Sequence, residues 1–224
     1  GVCEATGDTL RSLLLSAEER GRLRDQAEKL ATSDARRAKQ WNDFKTFLNR
    51  YGPFDVLVDG ANVGFHAQNH AGGGFSYPQI DAVMEHFRSR GKRVLLVLHS
   101  RWFDAGTNRK PVKRKHGIVL CAVHPTPPHP HPPGNNDDWY WLYAAVYSGN
   151  HVNVITNDFM RDHHFNMLRP RDFLKWRERH QVTFKIVNTG GYITQRFFLP
   201  SEFSHRTQPN EAGTAWYFPQ EESP

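Results

Sequence analysis

Cysteine is nearly absent from this sequence: Cys3 and Cys121 are the only two in 224 residues. That scarcity excludes a disulfide framework and a cysteine-rich zinc module. It suits a reducing, intracellular compartment better than an extracellular one. Long apolar runs are missing too. Stretches such as Val94-Leu95-Leu96-Val97-Leu98 fall far short of the roughly 20 residues that cross a bilayer, so no membrane partner is expected. No signal-peptide pattern opens the chain. There is no initiating Met, which fits a fragment of something longer. Nucleophilic Ser or Cys in a recognisable elbow, a Walker-type loop and a dinucleotide fingerprint are all lacking. Gly72-Gly73-Gly74 is not a fingerprint, because it neither follows a strand directly nor opens a helix at the required spacing.

What is present is a globular composition, 38% hydrophobic with six Trp and fifteen Phe, long enough for a good core in one or two domains. A net charge of +6 and a pI near 9.4 suit a polyanionic partner. Acidic residues nevertheless recur at particular places. The segments Phe54-Asp55-Val56-Leu57-Val58-Asp59-Gly60-Ala61-Asn62 and Val152-Asn153-Val154-Ile155-Thr156-Asn157-Asp158 each run β-branched residues into an aspartate. A buried parallel strand delivers an acid to its carboxyl end in this way, and open α/β sheets build their sites there. A third segment, Asn136-Asp137-Asp138-Trp139, puts two carboxylates at a helix start, where free N–H groups and the macrodipole welcome negative charge.

Carboxylates with water are what magnesium and manganese prefer, and no matching Cys/His set supports a catalytic zinc. Two such ions roughly 4 Å apart activate a water and stabilise the leaving oxygen of a phosphodiester, giving a 5′-phosphate and a 3′-hydroxyl. A cation-attracting pocket within a basic surface is what a nuclease needs. Phosphatases and receiver-like domains also place Asp at strand ends, so the carboxylates alone leave the class open.

Along the chain, Ser16-Ala17-Glu18-Glu19 reads as a capped helix start, with helix to about residue 30. A second helix is expected over about 33–50, with Trp41, Phe44, Phe47 and Leu48 on its core face. Strands are expected at 54–58, 93–99, 117–123 and 152–156, and helices at 78–90, 137–148 and 171–180 with Trp176 inward. Between them, 64–76 reads as a polar loop whose His66 and His70 are candidates to touch substrate, and 101–115 is a basic stretch holding Arg114 for phosphates. The Pro/His loop at 124–134 aims Asp137 and Asp138 rather than forming a His metal site. If the turn after Asp158 is helical, Asp158 and Asp162 share a face, with Arg161, His163 and His164 close by for phosphate contacts. Asn62, beside the first acid, is a further expected substrate contact. Segments 182–187, 192–199 and 216–218 are β-like and suggest a small antiparallel unit near the N-terminal residues.

Four blocks carry a closer likeness: Asp59-Gly60-Ala61-Asn62-Val63-Gly64, Asn136-Asp137-Asp138-Trp139-Tyr140-Trp141-Leu142-Tyr143-Ala144-Ala145, Thr156-Asn157-Asp158-Phe159-Met160-Arg161-Asp162-His163, and Lys175-Trp176-Arg177-Glu178-Arg179-His180-Gln181-Val182. In this order and spacing they resemble the metallonuclease domain of protein-only RNase P, from about residue 36 to 187. The resemblance implies an α/β fold of the NYN, PIN-like class: a parallel sheet flanked by helices, with a helical lead and an antiparallel β unit near the termini. It implies a metallonuclease domain at 36–182 and a terminal module at 1–35 and 183–224. The implied activity is endonucleolytic removal of the 5′ leader of precursor tRNA in a mitochondrion, chloroplast or nucleus, by a monomer. Carried over by position, Asp59, Asp137, Asp138 and Asp158 are the metal-binding acids, holding magnesium or manganese as two ions, and Asp162 is a further catalytic member. Asp138 and Asp158 are the first choices for direct ligation.

Two departures stand out. The family's N-terminal array of pentatricopeptide repeats, which grips tRNA, is not within these residues, so the chain is either an excised catalytic part or a form that docks RNA differently. The family's structural zinc also loses its ligands: Cys3 matches the first cysteine, but Thr6 stands at the second, Tyr217 falls where the histidine belongs, and no cysteine follows. Packing of the aromatic tail is expected in its place. Two alternatives remain, a PIN-like nuclease with another RNA target and an RNA-binding scaffold that does not cut.

Overall fold

In the computed structural model, residues 2–3, 6–33, 38–71, 73–99, 102, 118–123, 137–160, 170–204, 206–210 and 212–218 are described. The basic stretch from Arg109 to Lys115, the Pro/His loop, and Arg161, Asp162, His163 and His164 lie outside them.

The first helix, α1 (Ala17–Ala31), begins where the sequence indicates. Ser16 accepts from the Glu19 backbone N–H, and the Glu19 carboxylate accepts in return from Ser16, closing a reciprocal cap. The second, α2 (Ala38–Tyr51), buries Trp41, Phe44 and Leu48, with Phe47 half-buried. The chain then alternates: β1 (Val56–Asp59), α3 (Gly60–Phe65), α4 (Tyr77–Arg88), β2 (Val94–His99), β3 (Ile118–Val123), α5 (Asp137–Ser148), β4 (Asn153–Ile155) and α6 (Pro170–His180). It continues into β5 (Gln181–Thr189) and β6 (Tyr192–Phe198), then a short pair, β7 (Gln208–Pro209) and β8 (Trp216–Tyr217).

Six strands form one sheet in the order β3-β2-β1-β4-β5-β6, parallel throughout except for β6, which returns antiparallel to β5. Alternation along the strands gives the sheet two packed faces. Val56, Val58, Leu96, Leu98 and Ile155 face α4 through Ile80, Val83 and Met84. Leu57, Leu95, Val97 and Val154 face the other way, toward α5, α6 and the two leading helices. There Trp41 meets Tyr140 and Tyr143 edge-on, both at 4.9 Å between ring centroids, so the aromatics of α2 are core and not a base-stacking platform.

Residues 60–65 form a helical turn and a half, which takes in the first two residues of the expected 64–76 loop, because Asp59 caps it by accepting from the Asn62 N–H. A boundary at 182/183 falls inside β5, and the central sheet runs on to Phe198. Helix α1, placed with the terminal module by sequence, packs on α5 through Leu23, Ala27 and Ala31. The separate antiparallel sheet is β7 with β8.

Near that pair, two of the residues at the family's zinc positions, Thr6 and Tyr217, meet one another. The Tyr217 hydroxyl donates to the Asp8 carboxylate and lies 3.0 Å from Thr6 Oγ1. That bond holds the Asp8 carboxyl below its ordinary range and pushes the Tyr217 phenol up. A thiol, an aliphatic hydroxyl and a phenol are not the tetrahedral nitrogen–sulfur set that structural zinc requires, so the donor chemistry does not fit the ion.

Candidate metal and catalytic centre

The site forms at the carboxyl edge of the sheet, where β1 and β4 end side by side. Asp59 is the last residue of β1, and Thr156, Asn157 and Asp158 directly follow β4. Asp138 enters from above, in the first turn of α5. Together with Ala61, Asn62, Phe65, His66 and Asn157, the acids Asp59, Asp138 and Asp158 line one cavity of about 320 Å³. Asp59 is 7% exposed and Asp138 5%.

Each acid is held by its own hydrogen-bond donors. Asp59 Oδ1 accepts from the Asn62 N–H at 3.0 Å, and Oδ2 from the Thr156 hydroxyl at 2.9 Å. Asp138 Oδ1 accepts from the Trp141 indole N–H at 3.2 Å, one helical turn along. Asp158 Oδ1 accepts from the Met160 N–H at 2.8 Å, and its own N–H donates to Thr156 Oγ1 at 3.0 Å. Thr156, 1% exposed, therefore links the acid of β1 to the acid beyond β4 through a single hydroxyl.

Asn157 extends the sheet by a side chain. Its amide donates to the Phe184 carbonyl and accepts from the Phe184 N–H, both at 2.9 Å, as a strand residue would. Its backbone N–H donates to Asn62 Oδ1 at 2.8 Å, which ties α3 to the end of β4. Asn62, expected as a substrate contact, thus stands in the cavity wall with its carbonyl oxygen engaged in holding the two acid-bearing segments together. His66 lies 5.0 Å from the Phe184 ring, and burial holds its imidazole below the ordinary value. It is in the cavity wall, whereas His70 is exposed.

Gly60 makes this edge tight. A Cβ there would sit 2.9 Å from Leu96 Cδ1 and 3.0 Å from the Val97 carbonyl oxygen, so any side chain would force a shift where α3 turns back over β2.

Of the expected acids, the structure brings Asp59, Asp138 and Asp158 to one cavity. Asp137 opens α5, but its side chain is outside the described residues, as is all of Asp162. Residues 158–160 are not helical and Met160 has φ +48, so the helical turn that would pair Asp158 with Asp162 does not begin there. Thr156 and Asn157 were visible in the motif, but nothing in sequence spacing marks them as the links between strand ends.

The donor set fits a hard divalent cation. The cavity offers carboxylate oxygens and amide groups with room for water, and it has no thiolate. Among the described residues, no three Asp, Glu, His or Cys side chains converge closely enough to make a ligand set by themselves. Waters, substrate oxygens or further acids would complete the coordination. Buried like charges also need a counterion to coexist.

Comparison with known proteins gives a consistent result. A family profile described as protein-only RNase P matches residues 1–224. Proteinaceous RNase P 3 of Arabidopsis thaliana is 36% identical over 222 residues, covering 96% of this chain and 34% of that protein. The mouse mitochondrial ribonuclease P catalytic subunit is 26% identical over 242 residues, covering 99% of the chain and 37% of the relative. The chain therefore spans about a third of the length of the curated relatives it matches. A crystal structure of nuclear proteinaceous RNase P 2 from A. thaliana superposes with a TM-score of 0.68 at 32% identity, covering 97% of this chain and 44% of that one.

Proposed function

The chain belongs to the protein-only RNase P family, and from that premise we propose that it is a metal-dependent endoribonuclease that removes the 5′ leader of precursor tRNA. The observation that carries this reading is the meeting of Asp59, Asp138 and Asp158, from three separate elements, around one cavity at the carboxyl edge of the sheet.

Asp59, Asp138 and Asp158 would hold magnesium or manganese, with Asp137 and Asp162 as further acids of the same centre. When bound, such an ion lowers the pKa of a coordinated water and neutralises charge on the phosphate. The chain's own residues pre-set the geometry. Thr156 fixes the Asp59 carboxylate, the Asn62–Asn157 pair fixes the spacing of α3 and β4, and the Trp141 indole N–H orients Asp138. Such locking by neighbours is what keeps reacting groups in place before substrate arrives. The net charge of +6 favours a polyanionic substrate over the whole surface. Arg114, Arg161, His163 and His164 are proposed phosphate contacts. A relative is named chloroplastic/mitochondrial and another mitochondrial, and an organelle or the nucleus is the proposed setting here. Repeats outside this chain are proposed to grip the body of the tRNA.

The test is a single-turnover assay with excess protein and 5′-labelled precursor tRNA, in magnesium and in EDTA. One magnesium-dependent cut at the mature 5′ end, leaving a 5′-phosphate, is the expected result. Scattered metal-dependent cuts would retain the nuclease and reject the specificity, and no cut in magnesium would reject the activity of this chain.

A further inference from the structure

The strands β5 and β6 reach further than the site requires. Phe184 lies level with Asn157, through the paired bonds of the Asn157 amide. From there β5 continues to Thr189 before the Gly190-Gly191 turn brings the chain back as β6. Five residues beyond Phe184 amount to about 16 Å of strand. Because β5 runs parallel to β1 and β4, this overshoot is on the edge of the sheet where Asp59 and Asp158 stand. The hairpin therefore projects past the cavity as an arm.

Its two faces differ. Phe184, Ile186, Ile193 and Phe197 turn toward α4, where Phe197 packs 4.8 Å from Phe87 and Gln195 donates to the Ala82 carbonyl. The other face holds Lys185 opposite Arg196, Val187 opposite Thr194, and Thr189 opposite Tyr192, with Phe198 beyond. Tyr192 is 82% exposed and Phe198 46%. The Arg196 guanidinium lies over the Phe198 ring at 5.2 Å. This bare face is on the α5 side of the sheet, the side from which Asp138 enters the cavity. On the same side, α6 sets Arg177 over the Phe159 ring at 5.6 Å, next to Asp158. Residues 181–198 contain no Asp or Glu.

Charged residues on an edge strand often do no more than deter other strands. That account covers Lys185 and Arg196 but leaves the tyrosine and phenylalanine beside them unexplained, since exposed aromatics raise the risk of association. Aromatic rings interleaved with cations, without an acid among them, are what an unpaired nucleic-acid strand uses: bases stack on the rings and phosphates meet the cations. Resting on the reading of the site as an RNA-cutting centre, we propose that the Lys185/Arg196/Tyr192/Phe198 face of this hairpin binds the single-stranded RNA segment that adjoins the cut.

Two readouts test it. The first is fluorescence anisotropy of a labelled single-stranded RNA in EDTA, with the unaltered chain and with a Lys185→Ala/Tyr192→Ala/Arg196→Ala variant. All three residues are surface residues of the strands, and circular dichroism with a thermal melt confirms that the variant folds. The variant should bind about tenfold more weakly or worse, and its dependence of log affinity on log salt should flatten by roughly 1.4, two phosphates' worth. Tyr192→Phe, which keeps the ring, should bind like the unaltered chain. The second readout is half-saturation in single-turnover cleavage of precursor tRNA with a long leader and with a single-nucleotide leader; only the long-leader substrate should need more of the variant. Equal binding by variant and parent, or no binding by either, overturns the proposal. So does an equal loss on both precursors, which would place the body of the tRNA on this face. Failure of the unaltered chain to cut any precursor counts against the proposed function, and the anisotropy result still decides the role of the hairpin.

Discussion

Replacing Thr156 with valine keeps the shape of a fully buried side chain and removes one hydroxyl. That hydroxyl donates to Asp59 Oδ2 at 2.9 Å and accepts from the Asp158 N–H at 3.0 Å. A hydrogen bond to a charged group contributes about 1.5–3 kcal/mol and a neutral one about 0.5–1.5. Losing both, with Asp59 remaining 7% exposed, should cost about 2–4 kcal/mol. For a domain of this size that is a fall in Tm of roughly 5–15 °C. The functional loss should be larger in proportion, because the same hydroxyl sets the Asp59–Asp158 spacing. Displacing a catalytic group by about an ångström typically costs on the order of a hundredfold in rate. Single-turnover cleavage at saturating protein, at a temperature where both proteins are folded, isolates that effect from stability. Thr156→Ser keeps the hydroxyl and should restore most of the rate. A valine variant that cuts at the parental rate, or a serine variant as impaired as valine, would refute the idea that this hydroxyl couples the acids.

His180 should make the fold acid-sensitive. Its ring donates from Nδ1 to the Val152 carbonyl at 2.7 Å and stacks on Trp176, and burial lowers its pKa to about 4. The unfolded chain takes up the proton near pH 6.5 and the folded chain only near 4, so stability falls as pH drops between those values, by about 3 kcal/mol in all. Denaturant melts at pH 7 and 4.5 should show a smaller drop for His180→Gln than for the parent; equal drops would contradict this. Because Tyr217, Asp8 and Thr6 meet where a zinc set is lacking, EDTA should leave the melting temperature unchanged in magnesium-free buffer, while Tyr217→Phe should increase hydrogen exchange in residues 6–12. Gly60→Ala, whose Cβ would meet Leu96 at 2.9 Å, should lower both stability and cleavage, and a variant with parental values would show that α3 can shift.

The parallel sheet was legible because β-branched runs ending in Asp alternate with helical segments bounded by Ser16, Gly91 and Gly149. The helix opened by Asp137 ends at Ser148, as its Gly149-Asn150 stop indicates. The three acids were legible for the same reason: strand ends and helix starts are where a sheet of this kind gathers side chains. What the sequence hid was cross-chain bonding. Asn157 stitches β4 to β5 and α3 through contacts 27 and 95 residues away, and no local spacing signals that. The place of β5 and β6 in the central sheet was hidden too. Their short alternating pattern suits a separate antiparallel unit equally well, and the parallel pairing of Gln181 and Val182 with Val154 and Ile155 decides it.

The central claim is that Asp59, Asp138 and Asp158 form one cation-dependent cutting centre. Its most direct test pairs Asp138→Asn with the unaltered chain in single-turnover cleavage of precursor tRNA and in metal-free thermal melts. The account predicts that the variant loses cleavage by at least a hundredfold, on the order seen when one group aimed at developing charge is removed. It should also melt higher without metal, because one buried like charge is gone. A variant that cuts at the parental rate would contradict the claim, whatever its melting temperature.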